Sequence, residues 1–476
     1  MMLWSREALV AATKGNAVGE WDSISGVSID TRTIRPGDLF VALKDQRDGH
    51  DFVAAALEGG ASAALVSRPE ACPIDAPLLI ADNPLFALEQ LAEASRGRAN
   101  ALSAIAVTGS VGKTSVKEAL RAILSEQAAT HASEKSYNNH WGVPLTLARM
   151  PEATRFGVFE VGMNHLGEIT PLTQMVRPHV AVVTTVVPAH LGNFNDESEI
   201  AEAKAEIFKG LLPGGKALIN RDNPWFDFLA ERAAALGAQI VSFGEHPDAH
   251  IRLATLKQQA TTATVEADVM GQAVLYRLNA PGKHHVLNSL AVLGAAVLAG
   301  ADLARAALSL KNWHPGEGRG SRKEIRTDPI DPASAFLLID ESYNANPASV
   351  RAALETLGLA EPGLDPTGRS GRRIAVIGDM LELGPRADEL HAEIAQAPEM
   401  SKVDIVFACG PHSRALYDAL PPNKRGEWAE DSTKLVPMVR DSVRAGDALI
   451  VKGSLGSRMA KIVDVLNAPR SRRKHA

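Results

Sequence analysis

Cysteine is nearly absent, with two in 476 residues. Cys72 and Cys409 lie far apart and neither belongs to a Cys-x-x-Cys pair, which excludes a disulfide framework and gives no sign of a zinc site. Long apolar runs are also missing. The most apolar helix-like run, 290–301, is 12 residues long before Asp302 interrupts it; a membrane-spanning helix needs about 20. That run reads as a buried helix. Arg6 and Glu7 stand where a signal peptide would carry its apolar stretch. A reducing, cytoplasmic setting without stable membrane insertion is expected. Excess charge of one sign is lacking too: 50 Lys plus Arg stand against 56 Asp plus Glu, a net −6. A protein whose main business is coating nucleic acid would be basic, so nucleic acid is not an expected partner. No internal repeat and no long low-complexity tract is visible.

What is present is ordinary for a globular chain: 45% apolar and 22% charged residues. At about 150 residues per domain, the length suggests three units. The first, 1–101, holds the short apolar runs DLFVAL (38–43) and SAALVS (62–67), and ends on a helical pattern at 83–99. The second, 102–318, opens with LSAIAVTGSVGKTSVKEALRAIL, a buried strand, a glycine turn and an amphipathic helix. It continues through the strand-like runs 155–162, 179–187 and 215–222 and a helix at 284–300, which implies βα units and a largely parallel sheet. The turn-rich 314–322 closes it. The third, 319–476, starts with AFLLIDESYNANPASVRAALETL (335–357) and continues with strand patterns at 372–380, 403–410 and 447–454; strand, helix, strand again suggests a doubly wound α/β arrangement. The stretch 361–372 reads as a surface loop, and the basic tail 470–476 as a frayed, solvated terminus.

The sharpest signal is Thr108-Gly109-Ser110-Val111-Gly112-Lys113-Thr114-Ser115 between an apolar strand and a helix, the context a phosphate-binding loop requires. Gly109 and Gly112 let the backbone curl so that N–H groups converge on phosphate oxygens. The helix that follows presents its positive end to the same anion. Lys113 can place a charge on the outer phosphates, and Thr114 can offer a hydroxyl to Mg²⁺. The strict pattern wants glycine where Val107 stands, so this is a variant loop. It indicates a nucleoside triphosphate; kinases, GTPases and ATP-dependent ligases all remain open on this signal alone.

Glu160 ends the run FGVFE, and carboxyl ends of parallel strands gather on the ligand side of such sheets. A carboxylate there suits Mg²⁺, which prefers oxygen ligands. His190 follows VAVVTTVVPA, just beyond another strand pattern, and is assigned to the same face. Lys204 sits in the helical EIAEAKAEIFKGL. Its own composition marks nothing, since Lys on an exposed helix face is commonplace. Glu202 and Glu206 read as solvated-face residues.

Taken together, several stretches resemble the Mur ligase family of cell-wall enzymes. They are SIDTRTIRPGDLFVAL (28–43), DGHDF (48–52), VTGSVGKTS (107–115), SYNNHWGVPLTL (136–147), FEVGMNHLGEI (159–169), PAHLGNF (188–194), AKAEIF (203–208), DESYNANPASVRAAL (340–354), VIGDMLELG (376–384) and IVKGS (450–454). They span nearly the whole chain in the family's order. SYNNHWGVPLTL and SYNANP are similar to the branch that joins D-alanyl-D-alanine to UDP-N-acetylmuramoyl-tripeptide. The DNPR signature of the diaminopimelate-adding branch is absent.

The resemblance implies an N-terminal UDP-binding α/β domain, a central ATPase with a mostly parallel sheet and a C-terminal Rossmann-like domain. It implies a monomer that uses ATP and two Mg²⁺ to activate the tripeptide carboxylate as an acyl phosphate, which the dipeptide amine then attacks. Closure of the third unit over the second is expected to exclude water. By resemblance, Thr114, Glu160, His190 and Lys204 serve the metals, Lys204 as a carbamate, and Lys113 and Arg319 the phosphates. Asn288, Asp340, Tyr343, Asn344 and Asn346 lie near the nucleotide. Ser28, Asp30, Thr31 and Arg32, with Asp48, Gly49, His50 and Asp51 close by, serve the UDP moiety. Asn138 and Asn139 serve the peptide arm, and Lys452, Gly453, Ser454 and Arg458 the incoming dipeptide.

Overall fold

The computed structural model describes residues 2–188, 191–328, 331 and 334–468. Three larger sheets follow one another along the chain, and Trp4–Ser5 pairs with Ser23–Ile24 in a separate two-stranded ribbon. The first has five strands in the order Asn16–Val18, Leu78–Ile80, Ala63–Val66, Asp38–Val41, Gly26–Ser28. All its pairs are parallel except the first. Its three inner strands read as largely apolar runs because both faces are covered. The helix predicted at 83–99 spans Pro84–Arg98. Asn83 accepts from the backbone N–H of Leu85 and Phe86, and Pro84 takes the first position, where a missing N–H costs nothing.

That helix fastens the first unit to the second. It packs on the helix Gly142–Ala148, Arg96 Nε donates to Val176 O at 2.8 Å and Trp4 Nε1 to Ala148 O at 3.0 Å. The Arg98 guanidinium lies 3.4 Å from the Trp4 ring centre, a cation–π contact that keeps a half-buried charge favourable.

The middle sheet has nine strands. The strand Ser103–Thr108 runs parallel between Phe156–Glu160 and Val180–Val183. Lys216–Asn220 and Gln239–Gly244 extend the parallel order, and an antiparallel meander, Ile251–Leu278, finishes the edge. One face is sealed by the helices Lys113–Ser125 and Lys283–Leu298, through Val116, Leu120, Ile123, Leu290 and Leu293. The run predicted as a buried helix is the second half of Lys283–Leu298 and its neighbours. The other face is covered by Ile169, Leu172, Ile200, Phe208 and Leu229. The strand expected over 179–187 stops at Val183. From there the chain is recruited to the phosphate loop: the Thr184 hydroxyl donates to Val111 O at 2.5 Å, and Ser110 N to Thr185 O at 2.8 Å.

The third sheet orders Ser321–Arg326, Ala335–Glu341, Ala448–Lys452, Arg373–Gly378, Ile405–Cys409, Arg425–Ala429, parallel after its first pair. Apolar layers cover both faces. Cys72 and Cys409 are free thiols, and no helix among the described residues is long and apolar enough to cross a membrane. The tail 470–476 lies outside the described residues.

Candidate functional site

The carboxyl ends of the middle sheet open into a cavity of about 680 Å³ lined by both the second and third units. The phosphate loop forms its floor. Gly109 and Gly112 have φ of +146° and +87°, where a side chain is strained. Space enforces the same choice: a Cβ on Gly109 would sit 2.0 Å from Thr184 Oγ1, and one on Gly112 would sit 2.8 Å from Asn288 Oδ1. The helix Lys113–Ser125 starts at Gly112 with no side-chain cap, so its first N–H groups face the cavity for an anion to take. Lys113 Nζ donates to Gly109 O at 2.6 Å. Burial lowers its pKa, Glu160 opposes that and the Arg319 charge reinforces it.

Thr114 and Glu160 meet on this floor. The Thr114 hydroxyl donates to Glu160 Oε2 at 2.8 Å, and Asn138 Nδ2 donates to Glu160 Oε1 at 2.8 Å. Both Thr114 and Glu160 are buried. A buried carboxylate beside a hydroxyl oxygen and a phosphate cradle is the hard-oxygen set that Mg²⁺ prefers, so the residues fit that ion. Lys204 corrects the reading of a commonplace exposed lysine, because it is 1% exposed. Burial holds its amine well below the ordinary lysine range; the Lys113 charge pushes the same way, and Glu206 and Glu168 oppose it. Glu206 corrects its reading too. It is 2% exposed and accepts from Gly167 N, Thr170 N and Thr170 Oγ1 at 2.5, 2.9 and 3.0 Å. Its neighbour Glu202 is half-exposed and paired with Arg232. His190 lies outside the described residues.

The third unit supplies the opposite wall. Arg319 stacks 3.8 Å over the Tyr343 ring, and both donate to Ser136 Oγ, at 3.1 and 3.0 Å. Tyr343, Asn344, Asn346, Lys452 and Ser454 also line the cavity. Lys452 Nζ donates to Asn344 O at 2.7 Å and Glu341 Oε2 at 3.2 Å. Asn346 has a second task, capping the helix Pro347–Leu359. Two expected contacts are otherwise employed. Both Asp340 carboxylate oxygens are engaged, one by Gly318 N and the other by Ser342 N and Oγ. Arg458 is exposed, and Leu455 and Gly456 line the cavity beside it instead.

The sequence signal missed three features here. Ser136 is the first. The second is Lys117, 0% exposed, whose ammonium is held by Ser133 O, Lys135 O and Glu118. The third is a seam of His284, His285 and Glu341, with possible ligand atoms all within 4.8 Å of one another. Lys452 already pairs with Glu341 there, and the Arg322 charge bears on His285. Two cations thus occupy the neighbourhood that a metal would need. Burial lowers both imidazole pKa values, with His285 the more strongly affected. Burial likewise draws Arg322 down to about 10, and its three nitrogens have no hydrogen-bond partner.

A second cavity of about 400 Å³ lies in the first unit, lined by Lys44, Asp48, His50, Arg68 and Asn83, with Trp141 contributed by the second. Asp48 accepts from His50 Nδ1 at 2.6 Å and from Arg68 Nη2 at 2.5 Å. His50 Nε2 accepts from Ser67 N. Gly49 is needed because a Cβ would strike Leu43 O at 2.5 Å. Asp51 is exposed. Ser28 is buried and Thr31 half-buried, while Asp30 is bridged by the exposed Arg32. Asn139 lines the larger cavity and turns the chain by accepting from Trp141 N and Gly142 N.

Comparison with known proteins gives three family matches in chain order. They are the Mur ligase family catalytic domain over 23–107, the Mur ligase middle domain over 107–296 and the Mur ligase glutamate ligase domain over 325–455. The UDP-N-acetylmuramoyl-tripeptide--D-alanyl-D-alanine ligase of Escherichia coli (strain K12) is 35% identical over 95% of this chain and 96% of its own. Among solved structures, MurF from Acinetobacter baumannii aligns with a TM-score of 0.82 and 29% identity, covering 98% and 99% of the two chains. MurF ligase from Thermotoga maritima in complex with ADP shares the fold, with a TM-score of 0.74 and 24% identity over 93% and 97%.

Proposed function

The chain belongs to the Mur ligase family, and we propose that it joins D-alanyl-D-alanine to UDP-N-acetylmuramoyl-tripeptide with ATP as the driving reagent, releasing ADP and phosphate. The observation that carries this reading is the meeting of the two branch-specific motifs. Ser136 of SYNNHW and Tyr343 of SYNANP are hydrogen-bonded at 3.0 Å across the nucleotide cavity.

The phosphate loop and the start of the helix Lys113–Ser125 grip the triphosphate, with Lys113 at its outer end. Thr114 and Glu160 hold Mg²⁺, with His190 and a carbamate on Lys204 assigned to a second ion by resemblance. Bound there, Mg²⁺ withdraws charge from the phosphate, so that an anionic carboxylate can approach it. Burial supports the carbamate: a lysine kept neutral is a nucleophile toward CO₂, and a charged one is not. Asn138 and Asn139 orient the peptide arm. Arg319 adds positive charge where the transferred phosphoryl group gathers negative charge. The wall of Tyr343, Asn344 and Lys452 excludes water from an acyl phosphate that would otherwise hydrolyse. The smaller cavity, with Asp48, His50 and Arg68, is assigned to the UDP moiety, and the loop Lys452–Ser454 to the dipeptide.

ADP release measured across a panel of amine donors and UDP-peptides tests the proposal. Turnover is expected with D-alanyl-D-alanine and the UDP-tripeptide. Turnover only with a single amino acid donor would assign the chain to a sister branch. Labelled oxygen in the acceptor carboxylate must also appear in the released phosphate, and its absence would rule out the acyl phosphate.

A further inference from the structure

We propose that Ser136 is a positioning residue that links the nucleotide end of the cavity to docking of the third unit, through one hydroxyl joining Arg319 and Tyr343 to Thr114. Serine has one proton and two lone pairs. Arg319 Nη2 and Tyr343 Oη are both donors and lie 3.1 and 3.0 Å from Ser136 Oγ, so they fill the lone pairs. The serine proton is left for Thr114 Oγ1, 3.5 Å away at the outer limit of a hydrogen bond. Thr114 spends its own proton on Glu160 at 2.8 Å. The donors therefore run in one direction, from the guanidinium and phenol of the third unit to the buried carboxylate of the second. Bonds in such a chain polarise one another. A change at Thr114 is felt at Arg319, and withdrawal of Arg319 is felt at Thr114.

The serine is held for this task from below. Lys117, one helical turn after Thr114, fixes the carbonyls of Ser133 and Lys135 at 2.8 and 2.7 Å. The loop bearing Ser136 is thereby tied to the helix bearing Thr114, so the two hydroxyls keep their separation. On the same loop Asn138 takes the other oxygen of Glu160 at 2.8 Å. The two units also meet through backbone where Gly192 N donates to Glu382 O at 2.9 Å, and Glu382 lines the same cavity. Without the Ser136 oxygen, Arg319 keeps its stacking on Tyr343 but loses the acceptor that aims it.

The inference rests on the proposed function only for its kinetic arm. The full chain is compared with Ser136→Ala and Ser136→Thr by small-angle scattering, with and without Mg²⁺ and a non-hydrolysable ATP analogue, and by steady-state turnover. In Ser136→Ala, kcat is expected to fall about tenfold while KM for ATP changes by less than about threefold, and analogue-dependent compaction is lost. Ser136→Thr, which keeps the hydroxyl, restores both. Wild-type compaction and kcat in Ser136→Ala would overturn the proposal. So would a rise in KM with kcat unchanged, or failure of threonine to rescue an alanine variant that melts as the wild type does. If the wild type turns over with a different donor, the substrate reading fails while the scattering arm still decides the role of Ser136.

Discussion

Acid should weaken the seam between the second and third units, and His285 sets the size of the effect. The imidazole is 3% exposed and packs against His284 at 4.0 Å and Trp313 at 5.8 Å between ring centres. Burial lowers its pKa most, and the His284 and Arg322 charges push the same way. Glu341 is the nearby carboxylate, but it is paired with Lys452. The folded state thus keeps His285 neutral where the unfolded chain, with a pKa of about 6.5, takes up a proton. Below that pH the unfolded state binds more protons, so stability falls as pH falls. At pH 5.5, with the folded imidazole still neutral, the loss is about 1.4 kcal/mol. For a unit of this size that corresponds to about 3–6 °C in melting temperature. His285→Asn removes the titration. Melting each protein at pH 7.5 and 5.5 should show the wild type losing that much more than the variant. His131, His179, His284 and His391, also lowered by burial, are present in both proteins and cancel. An equal loss in wild type and variant would refute the reasoning.

Two further outcomes are expected. Lys204→Ala should lose turnover, and short carboxylic acids should restore part of it. Intact-mass measurement should find CO₂ on the wild-type lysine, increasingly as pH rises and the amine is deprotonated; an unmodified yet active wild type would remove the carbamate from the scheme. Gly109→Ala should abolish nucleotide binding, since its Cβ would stand 2.0 Å from Thr184 Oγ1 at a φ of +146°. Titration calorimetry should still find the UDP-substrate bound, because that cavity lies in another unit, and equal loss of both ligands would contradict the separation of the sites.

The sequence carried whatever is encoded locally. The strand, glycine turn and helix around 103–125 announce a phosphate cradle because each part needs particular residues at fixed spacing, and Asn83-Pro84 announces a helix start for the same reason. Lys204 and Glu206 show where that kind of reading ends. Both stand in a charged helical stretch that reads as solvated, yet the fold lays 167–170 over Glu206. The backbone N–H groups arriving there satisfy Glu206, and Lys204 is buried beside it, which lowers its amine pKa. Burial of this sort has no local signature, since the covering residues come from more than thirty positions away.

The contacts between units were illegible for a related reason. Arg319 and Tyr343 could be assigned to the nucleotide by resemblance, but the acceptor that holds them, Ser136, is 183 and 207 residues distant in sequence. A serine in a loop has no composition cue that separates it from a solvated one. The same docking draws on a residue that the resemblance assigns to a ligand. The Asp340 carboxylate is consumed in fastening Gly318 and Ser342, so the connection between units is built from a residue expected to touch ligand. Arg458 is turned outward while Leu455 and Leu381 line the mouth. Charge at the far end of the cavity therefore comes from Lys452, itself restrained by Glu341. On the reading proposed above, in which the loop Lys452–Ser454 takes the dipeptide, affinity for that zwitterion should depend on how readily Lys452 exchanges Glu341 for the ligand's carboxylate.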